Sequence, residues 1–269
     1  MAKYVRTSKR LQRFRWKFTG MVYPRVLQQR EEMLCCFLLA IQESTSLKEL
    51  HMELPPISGP SNLALENMLT HTQSLRSLTL ICPAGLPGED VDVAAARSGL
   101  EKNTTLLELT LADWPGATTD LSSIITSLRD HPLLQRLVLC GNAVDLTGLD
   151  TVLLSDTSKI TELDIHVMPY GSRPSMSGLA NILQALARRP TLTKLRLHGF
   201  TLGPDETRLL RMALCNIPSL QSLLLTGGTL GSAGLAELAP AFCQNTSIEE
   251  LDISGNSLND MESAEILQE

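Results

Sequence analysis

The chain has 269 residues, of which 43% are hydrophobic, 19% are charged and only 4% are aromatic. These fractions exclude a disordered chain, and the apolar runs are too short to predict a membrane-spanning helix. Leu accounts for 51 residues, although aromatic side chains normally dominate the buried area of a core. A core built almost wholly from Leu predicts many copies of one small unit.

Charge is distributed unevenly along the chain. The first 30 residues contain nine basic side chains and no acidic one, whereas the whole chain has a net charge of −6. Such a start is similar to an organelle transit segment, and it could also attract nucleic acid or an anionic membrane. No apolar signal-peptide core follows it, and the six Cys residues form no C-x-x-C pair. We therefore expect reduced cysteines in a cytoplasmic protein.

A pattern of apolar-x-x-apolar-x-apolar recurs eight times, from residues 47–52 to residues 248–253, at spacings of 26 to 32 residues. The last two apolar residues of each copy are two apart, which is the period of a β-strand. Between these strands, apolar residues recur at three- and four-residue steps, which predicts helices. Each repeat is therefore predicted to be one strand followed by one helix.

Stacking such units gives an α/β solenoid, because the helix supplies the crossover that parallel strands need. A helix is about twice as wide as a strand. The strands should therefore line the concave face of a horseshoe, with the helices on its convex face. We predict seven to nine strands in one parallel sheet, with four Leu residues at its core: Leu137, Leu163, Leu195 and Leu223.

Two segments, LQRLVLCGNAV (134–144) and IEELDISGNSL (248–258), resemble the ribonuclease-inhibitor-like family of leucine-rich repeats. The resemblance as a whole extends over about residues 11–269. The resemblance implies a leucine-rich repeat solenoid with repeats of about 28–29 residues. Asn142 and Asn256 hold the position whose side chain bonds the backbone across the turn in that family. The segment from Gly231 to Leu258 also resembles NOD-like receptors and Ran GTPase-activating proteins. The latter need a catalytic loop residue, which we do not identify here.

Two regions are predicted along the chain. Residues 1–46 form a basic segment with a first strand–helix unit that acts as a cap, and residues 47–269 hold the eight copies, the last incomplete. Within the cap, Leu or aromatic residues alternate with basic ones over residues 11–18, which predicts a ninth strand. A helix over residues 24–43 should follow, with five apolar side chains inward: Val26, Leu34, Phe37, Leu38 and Ile41. No polar closing repeat follows the last copy, so we expect a longer protein, with capping by a partner chain as the alternative.

The sequence contains no P-loop, G-x-S-x-G, H-E-x-x-H, G-x-G-x-x-G or EF-hand motif. His166 and His198 should lie in neighbouring strands, with Asp164 on the same face. A metal ion could use such a trio, but Arg196 is predicted to neighbour Asp164 and to occupy its carboxylate. We therefore expect no catalytic, metal or cofactor site, and no enzymatic activity.

The side chains between the inward Leu residues should form columns across the sheet face. Thr79, Thr110 and Val138 form an uncharged patch surrounded by charges, which is typical of a protein-binding surface. Two longer repeats add Pro- and Gly-rich loops at residues 81–92 and 166–178, and insertions in solenoids often lie at the binding face. The candidate partner-binding residues are Arg13, Arg15, Lys17, His51, Thr79, Thr110, Asp164, His166, Tyr170, Arg173, Arg196 and His198.

These features predict a non-catalytic protein-interaction module within a larger receptor or regulatory protein. The alternatives are binding of nucleic acid or an anionic membrane through the basic N-terminal segment, or regulation of a GTPase. The aromatic residues at positions 14, 16 and 18 separate these readings. They should be buried if the segment is part of the solenoid, and exposed if it binds nucleic acid or lipid. Tyr170 and Arg173 should be exposed at the rim of the concave face.

Overall fold

The computed structural model describes residues 1–17, 24–54, 59–82, 93–113, 121–141, 146–168, 178–258 and 261–266. These residues form two compact units, Met1–Leu134 and Gln135–Glu269, in which strands and helices alternate. In each unit, parallel strands are joined through helices, and the leucine repeat supplies the buried side chains. The fold is an α/β leucine-rich repeat solenoid.

The first unit contains four strands that pair in chain order and in parallel. The repeat sets their register, because Phe14, Leu50, Leu78 and Leu109 lie side by side in successive strands. Its elements are α1 (Ala2–Thr7), β1 (Arg13–Trp16), α2 (Pro24–Gln42), β2 (Glu49–Glu53), α3 (Gly59–His71), β3 (Ser77–Ile81), α4 (Val93–Lys102), β4 (Glu108–Ala112) and α5 (Leu121–Ser127).

The second unit contains five strands with the same parallel pairing. Its elements are β5 (Arg136–Gly141), α6 (Leu149–Leu153), β6 (Glu162–Val167), α7 (Leu179–Leu186), β7 (Lys194–His198), α8 (Pro204–Asn216), β8 (Ser222–Thr226), α9 (Gly231–Gln244), β9 (Glu250–Asp252) and α10 (Met261–Ile266). Leu137, Leu163, Leu195 and Leu223 align across it and are each 0% exposed. Their predicted burial is confirmed.

The predicted N-terminal strand is confirmed as β1. Phe14 and Trp16 are half-buried, and their ring centroids lie 5.9 Å and 4.6 Å from that of Phe37 on α2. The rings are thus not fully buried as the solenoid prediction required, but their contact with α2 is the arrangement expected of a strand that belongs to the solenoid. The predicted helix is also confirmed, with four of its apolar side chains buried: Leu34, Phe37, Leu38 and Ile41. Phe18 and the side chain of Val26 lie outside the described residues.

Asparagine side chains form the hydrogen bonds of two turns between helix and strand. The Oδ1 of Asn103 accepts hydrogen bonds from the backbone N–H groups of Thr105 and Leu106, and its amide donates to the Leu69 carbonyl of the preceding repeat. Asn245 makes the same set of bonds in the turn between α9 and β9. These asparagines lie in Asn-x-Ser/Thr sequons, but Asn103 is 1% exposed and bonded, so its amide is structural.

Asn256 marks the turn after the last strand. Its amide donates to the carbonyls of Leu225 at 2.5 Å and Ile253 at 2.8 Å, and the residue is only 5% exposed. The bond across the turn that the leucine-rich repeat resemblance implies is therefore present at this position. Asn142, the other predicted position, lies outside the described residues.

Candidate functional site

The outward face of the first unit is formed by alternate residues of its strands. The inward Leu and Met side chains are buried, whereas His51, Thr79 and Thr110 between them are half-exposed. Strand pairing places these three side by side, because His51 pairs with Thr79 and Thr79 with Thr110. The predicted uncharged patch is therefore assembled at Thr79 and Thr110. The third member of that patch, Val138, belongs to the second unit.

Charged residues flank this patch on the same face. The Nε of Arg13 lies 2.8 Å from Oε2 of Glu49, and the Ser77 hydroxyl donates to Glu108 at 3.1 Å. Partial burial lowers the pKa of His51, and the nearby Arg15 lowers it further. His51 is thereby favoured in its neutral form. The first unit thus presents a polar, largely uncharged centre beside ion-paired charges.

On the outward face of the second unit, three side chains surround the carboxylate of Asp164. Its Oδ2 lies 3.3 Å from Nη1 of Arg196 on the neighbouring strand and 3.9 Å from Nη2 of Arg136 on the other side. Its Oδ1 lies 2.6 Å from Nε2 of His166. The predicted contact between Asp164 and Arg196 is confirmed. One carboxylate therefore lies within ion-pair distance of side chains from its own strand and from both neighbouring strands.

The burial of Asp164 corrects its role as a candidate contact residue. We predicted a solvent-facing side chain, but Asp164 is only 6% exposed, because Arg136, Arg196 and His166 cover it. The surface at this position is therefore formed by those three half-exposed side chains rather than by the carboxylate.

His166 and His198 lie next to each other in β6 and β7, as predicted. Their ring centroids are 5.3 Å apart, with 30° between the ring planes. Nδ1 of His198 is 2.9 Å from the Thr226 hydroxyl on β8. Gly227, whose φ is +65°, makes room for this ring, because a Cβ there would lie 2.7 Å from Cε1 of His198. The two imidazoles form a fixed, half-exposed aromatic surface beside the Asp164 cluster.

Sequence reasoning missed two parts of this cluster. Arg136 lies 3.6 Å from Glu162, its neighbour in the strand register, and it also reaches Asp164 diagonally. Diagonal neighbours on one sheet face are within reach of long side chains, so the predicted register already contained this signal. The support of His198 by Gly227 depends on a positive φ that the sequence does not show.

The remaining candidate residues fall into two groups. Arg13, Arg15 and Lys17 are exposed on or directly after β1. Tyr170 and Arg173, predicted at the rim in the loop 166–178, lie outside the described residues.

Among the described residues, no three His, Cys, Asp or Glu side chains come together in a group that could hold a metal ion. Within the same part of the chain, no helix is both long and apolar enough to cross a membrane. One groove among the described residues lies on the helix side, where it is lined by Leu202, Pro204, Thr207, Leu230, Ala233, Gly234 and Glu237.

Replacing Asp164 by Asn should lower the free energy of unfolding by about 1–3 kcal/mol, because the hydrogen bond from Arg196 would lose its charged acceptor and the ion-pair contact with Arg136 would be lost. Arg136 and Arg196 keep side-chain exposures of 38% and 29%, so water would compensate part of the loss. Urea unfolding measures this change. Asp205→Asn is the matched control: its carboxylate is 87% exposed beside Arg208, and surface pairs contribute about 0–1 kcal/mol. Equal losses for both variants would contradict an organising role for Asp164.

No protein-family model and no curated protein matches this chain. Among solved structures, a crystal structure of a Bacteroides fragilis protein is similar over 81% of this chain and 77% of its own, with 15% identity and a TM-score of 0.45. A chain of a TLR13–ssRNA13 complex is similar over 94% of this chain and 37% of its own, with 15% identity and a TM-score of 0.49. This chain thus spans little more than a third of that TLR13 chain. The fold follows from the repeats and the strand pairing, and not from these two similarities.

Proposed function

We propose that the chain is a non-catalytic protein-interaction module, which binds a protein partner through the outward strand faces of its units. The arrangement around Asp164 carries this proposal. Its buried carboxylate accepts a hydrogen bond from Arg196 and lies within ion-pair distance of Arg136 and His166, and all three of these side chains are half-exposed. Arg is enriched among residues that dominate binding energy, and side chains ordered in advance lose less entropy when a partner docks. A fold alone supports many functions, so the site, rather than the solenoid, is the argument.

The face of the first unit supports the same function. Thr79 and Thr110 are half-exposed and uncharged, while charged side chains such as those of the Arg13–Glu49 ion pair and Glu108 lie on the same face. Interfaces commonly have few charges at their centre and polar groups at their rim. A partner surface with few charges at its centre and charges opposite to those of this face at its rim would therefore dock here without burying an unpaired charge.

The resemblance in the repeats favours the ribonuclease-inhibitor-like type of leucine-rich repeat, within a receptor or regulatory protein. We place the protein in the cytoplasm, which the six free cysteines support. The loop residues Tyr170 and Arg173 remain proposed partner contacts. Nucleic-acid binding through the basic start has less support, because Phe14 and Trp16 pack on Phe37 rather than standing free to stack on bases.

Paired variants test whether the strand faces bind a partner. Thr110→Arg places a large cation in the uncharged patch, and Lys194→Glu reverses a charge beside the Asp164 cluster. We expect proteins recovered from a cell extract by the intact chain to be lost with at least one of these variants. For a recovered protein, the dissociation constant measured by calorimetry should rise about tenfold or more, which corresponds to about 1.4 kcal/mol.

Two matched controls make the same chemical changes elsewhere. Thr126 is exposed on α5, where Thr126→Arg is made, and Lys159 is exposed shortly before β6, where Lys159→Glu is made. Both should retain the partner. If face and control variants recover the same proteins in the same amounts, the strand faces are not the binding surface. If recovery disappears after nuclease treatment, the partner is nucleic acid and the proposal is wrong.

A further inference from the structure

Strand β1 is the outer strand of the first unit, and among the described residues it pairs only with β2. The carbonyl of Gln12 accepts hydrogen bonds from Lys48 and Glu49, so this peptide group points towards β2. Successive residues of a strand direct their N–H and C=O groups to opposite sides. The backbone groups of Arg13 and Arg15 therefore point to the outer edge. Such an edge is a template for pairing with another strand.

The two faces of β1 differ in chemistry. Arg13 and Arg15 are exposed on one face, and Lys17 directly after the strand is exposed as well. Phe14 and Trp16 lie on the other face, where contact with Phe37 leaves each ring half-exposed. A strand that joined this edge would cover more of both rings if it placed apolar residues beside them.

The charge pattern of the fold indicates what such a strand would carry on its other face. Opposite charges meet between neighbouring strands at Arg13–Glu49, at 2.8 Å, and at Arg196–Asp164, at 3.3 Å. Arg15 and Lys17 form no ion pair with any described residue. Residues 1–17 contain seven basic side chains and no acidic one. An acidic residue at every second position would complete the pattern.

We propose that the outer edge of β1 binds an extended segment of a partner protein in which acidic and apolar residues alternate. The segment adds a strand to the first unit. Its backbone pairs with Arg13 and Arg15, its carboxylates meet the cations, and its apolar side chains cover Phe14 and Trp16. This is strand addition, in which main-chain bonds give affinity and alternate side chains give specificity. The edge adjoins the outward face of the first unit and shares the side chains of Arg13 and Arg15 with it, but it binds through the β1 backbone, so the peptide tests below separate this inference from the function proposed above.

A second copy of the chain fits this edge less well than a partner segment does. The acidic strand β9 could in principle lie beside β1 of another copy. However, α1 packs against α2 and α10 against α9, so both helices belong to the helix layer. In such a head-to-tail pair, α1 of one copy and α10 of the other would compete for the same place in that layer.

The first test uses synthetic peptides and the full chain. The probe is acetyl-TVELDIEVT-amide, and its control, acetyl-TEDEVLIVT-amide, has the same composition with the acids clustered. Isothermal titration calorimetry should show saturable binding of the probe and at least about tenfold weaker binding of the control. N-methylation of one alternate set of probe amides should abolish binding, and methylation of the other set should be tolerated. Equal binding of the two peptides would overturn the proposal, because it would indicate unspecific attraction between charges.

The second test changes the strand. Arg15→Glu/Lys17→Glu should weaken probe binding by about tenfold or more. The matched control, Lys9→Glu/Arg10→Glu, changes the net charge equally at exposed positions outside β1 and should weaken it less than about threefold. If the first double variant unfolds at a lower temperature than the intact chain, Arg15→Gln/Lys17→Gln replaces it. This variant should also weaken probe binding more than the Lys9→Glu/Arg10→Glu control does. Equal losses for both positions, or self-association of the intact chain that the probe cannot displace, would contradict the proposal.

Discussion

Replacing Leu195 by Ala should lower the free energy of unfolding by about 2–5 kcal/mol, as truncations in well-packed cores do. Leu195 is 0% exposed and aligned between Leu163 and Leu223, so its neighbours are held in the same parallel register. They cannot all move to fill the space that the lost methyl groups would leave. Urea unfolding monitored by circular dichroism measures the effect.

The same substitution at an exposed Leu provides the control. Leu154, at the end of α6 in the same unit, is 45% exposed, and Leu154→Ala should change stability by less than about 0.5 kcal/mol. A loss below about 1 kcal/mol for Leu195→Ala would mean that the inward register of β7 is wrong, because interior truncations cost more than that.

The second large effect concerns pH and His131, which is 4% exposed in the turn before β5. Its Nδ1 accepts hydrogen bonds from the backbone N–H groups of Leu133 and Leu134, and its Nε2 lies 3.3 Å from Oδ1 of Asn103. Protonation would place a hydrogen on Nδ1, opposite two donors. Burial lowers the pKa of His131 to about 4, from 6.5 for the unfolded chain.

Because the folded state favours the neutral imidazole, the unfolded state binds more protons between these two pKa values. The stabilisation from His131 is therefore complete above about pH 6.5 and is lost as the pH falls towards about 4. His131→Asn should remove this dependence, since Asn103 and Asn245 accept the same turn bonds without titrating. Between about pH 7.5 and about pH 4.5, the intact chain should lose roughly 2–3 kcal/mol more than this variant.

His71→Asn is the control for the pH experiment, because His71 is exposed at the end of α3. The pH dependence of its unfolding should match that of the intact chain. If His131→Asn loses as much stability on acidification as the intact chain does, another group causes the acid sensitivity.

The sequence predicted the strands well because one physical signal repeats. Inward residues such as Leu137 and Leu163 recur at one position in each repeat, and a slip by one residue would expose them all. The same alternation predicted β1, where Phe14 and Trp16 replace Leu. The short helix α1 was not predicted. It spans six residues and buries only Val5 at 0% exposure, so it offers no apolar period to detect.

The candidate site was predicted in position but not in detail. Strand alternation placed Asp164, Arg196 and His166 on one face, yet the burial of Asp164 depends on the directions of the long side chains that cover it. The role of His131 was hidden for a related reason. Asn103 and His131 lie at the same position of two neighbouring repeats and accept the same kind of backbone hydrogen bond. Because the two residue types differ, comparing the repeats in sequence does not reveal that His131 has this role.

Chemical labelling of the five histidines tests most directly whether the strand faces bind the partner. His51, His166 and His198 are half-exposed on those faces, His71 is exposed on a helix, and His131 is buried. Diethylpyrocarbonate modification, measured by mass spectrometry with and without a partner recovered as above, reads all five at once. We predict that the partner protects the face that it binds: His51 on the first unit, His166 and His198 on the second, or all three. His71 should stay equally reactive with and without the partner, and His131 should stay unmodified in both states. Protection of His71 with unchanged labelling of the three face histidines would contradict a binding function for the strand faces.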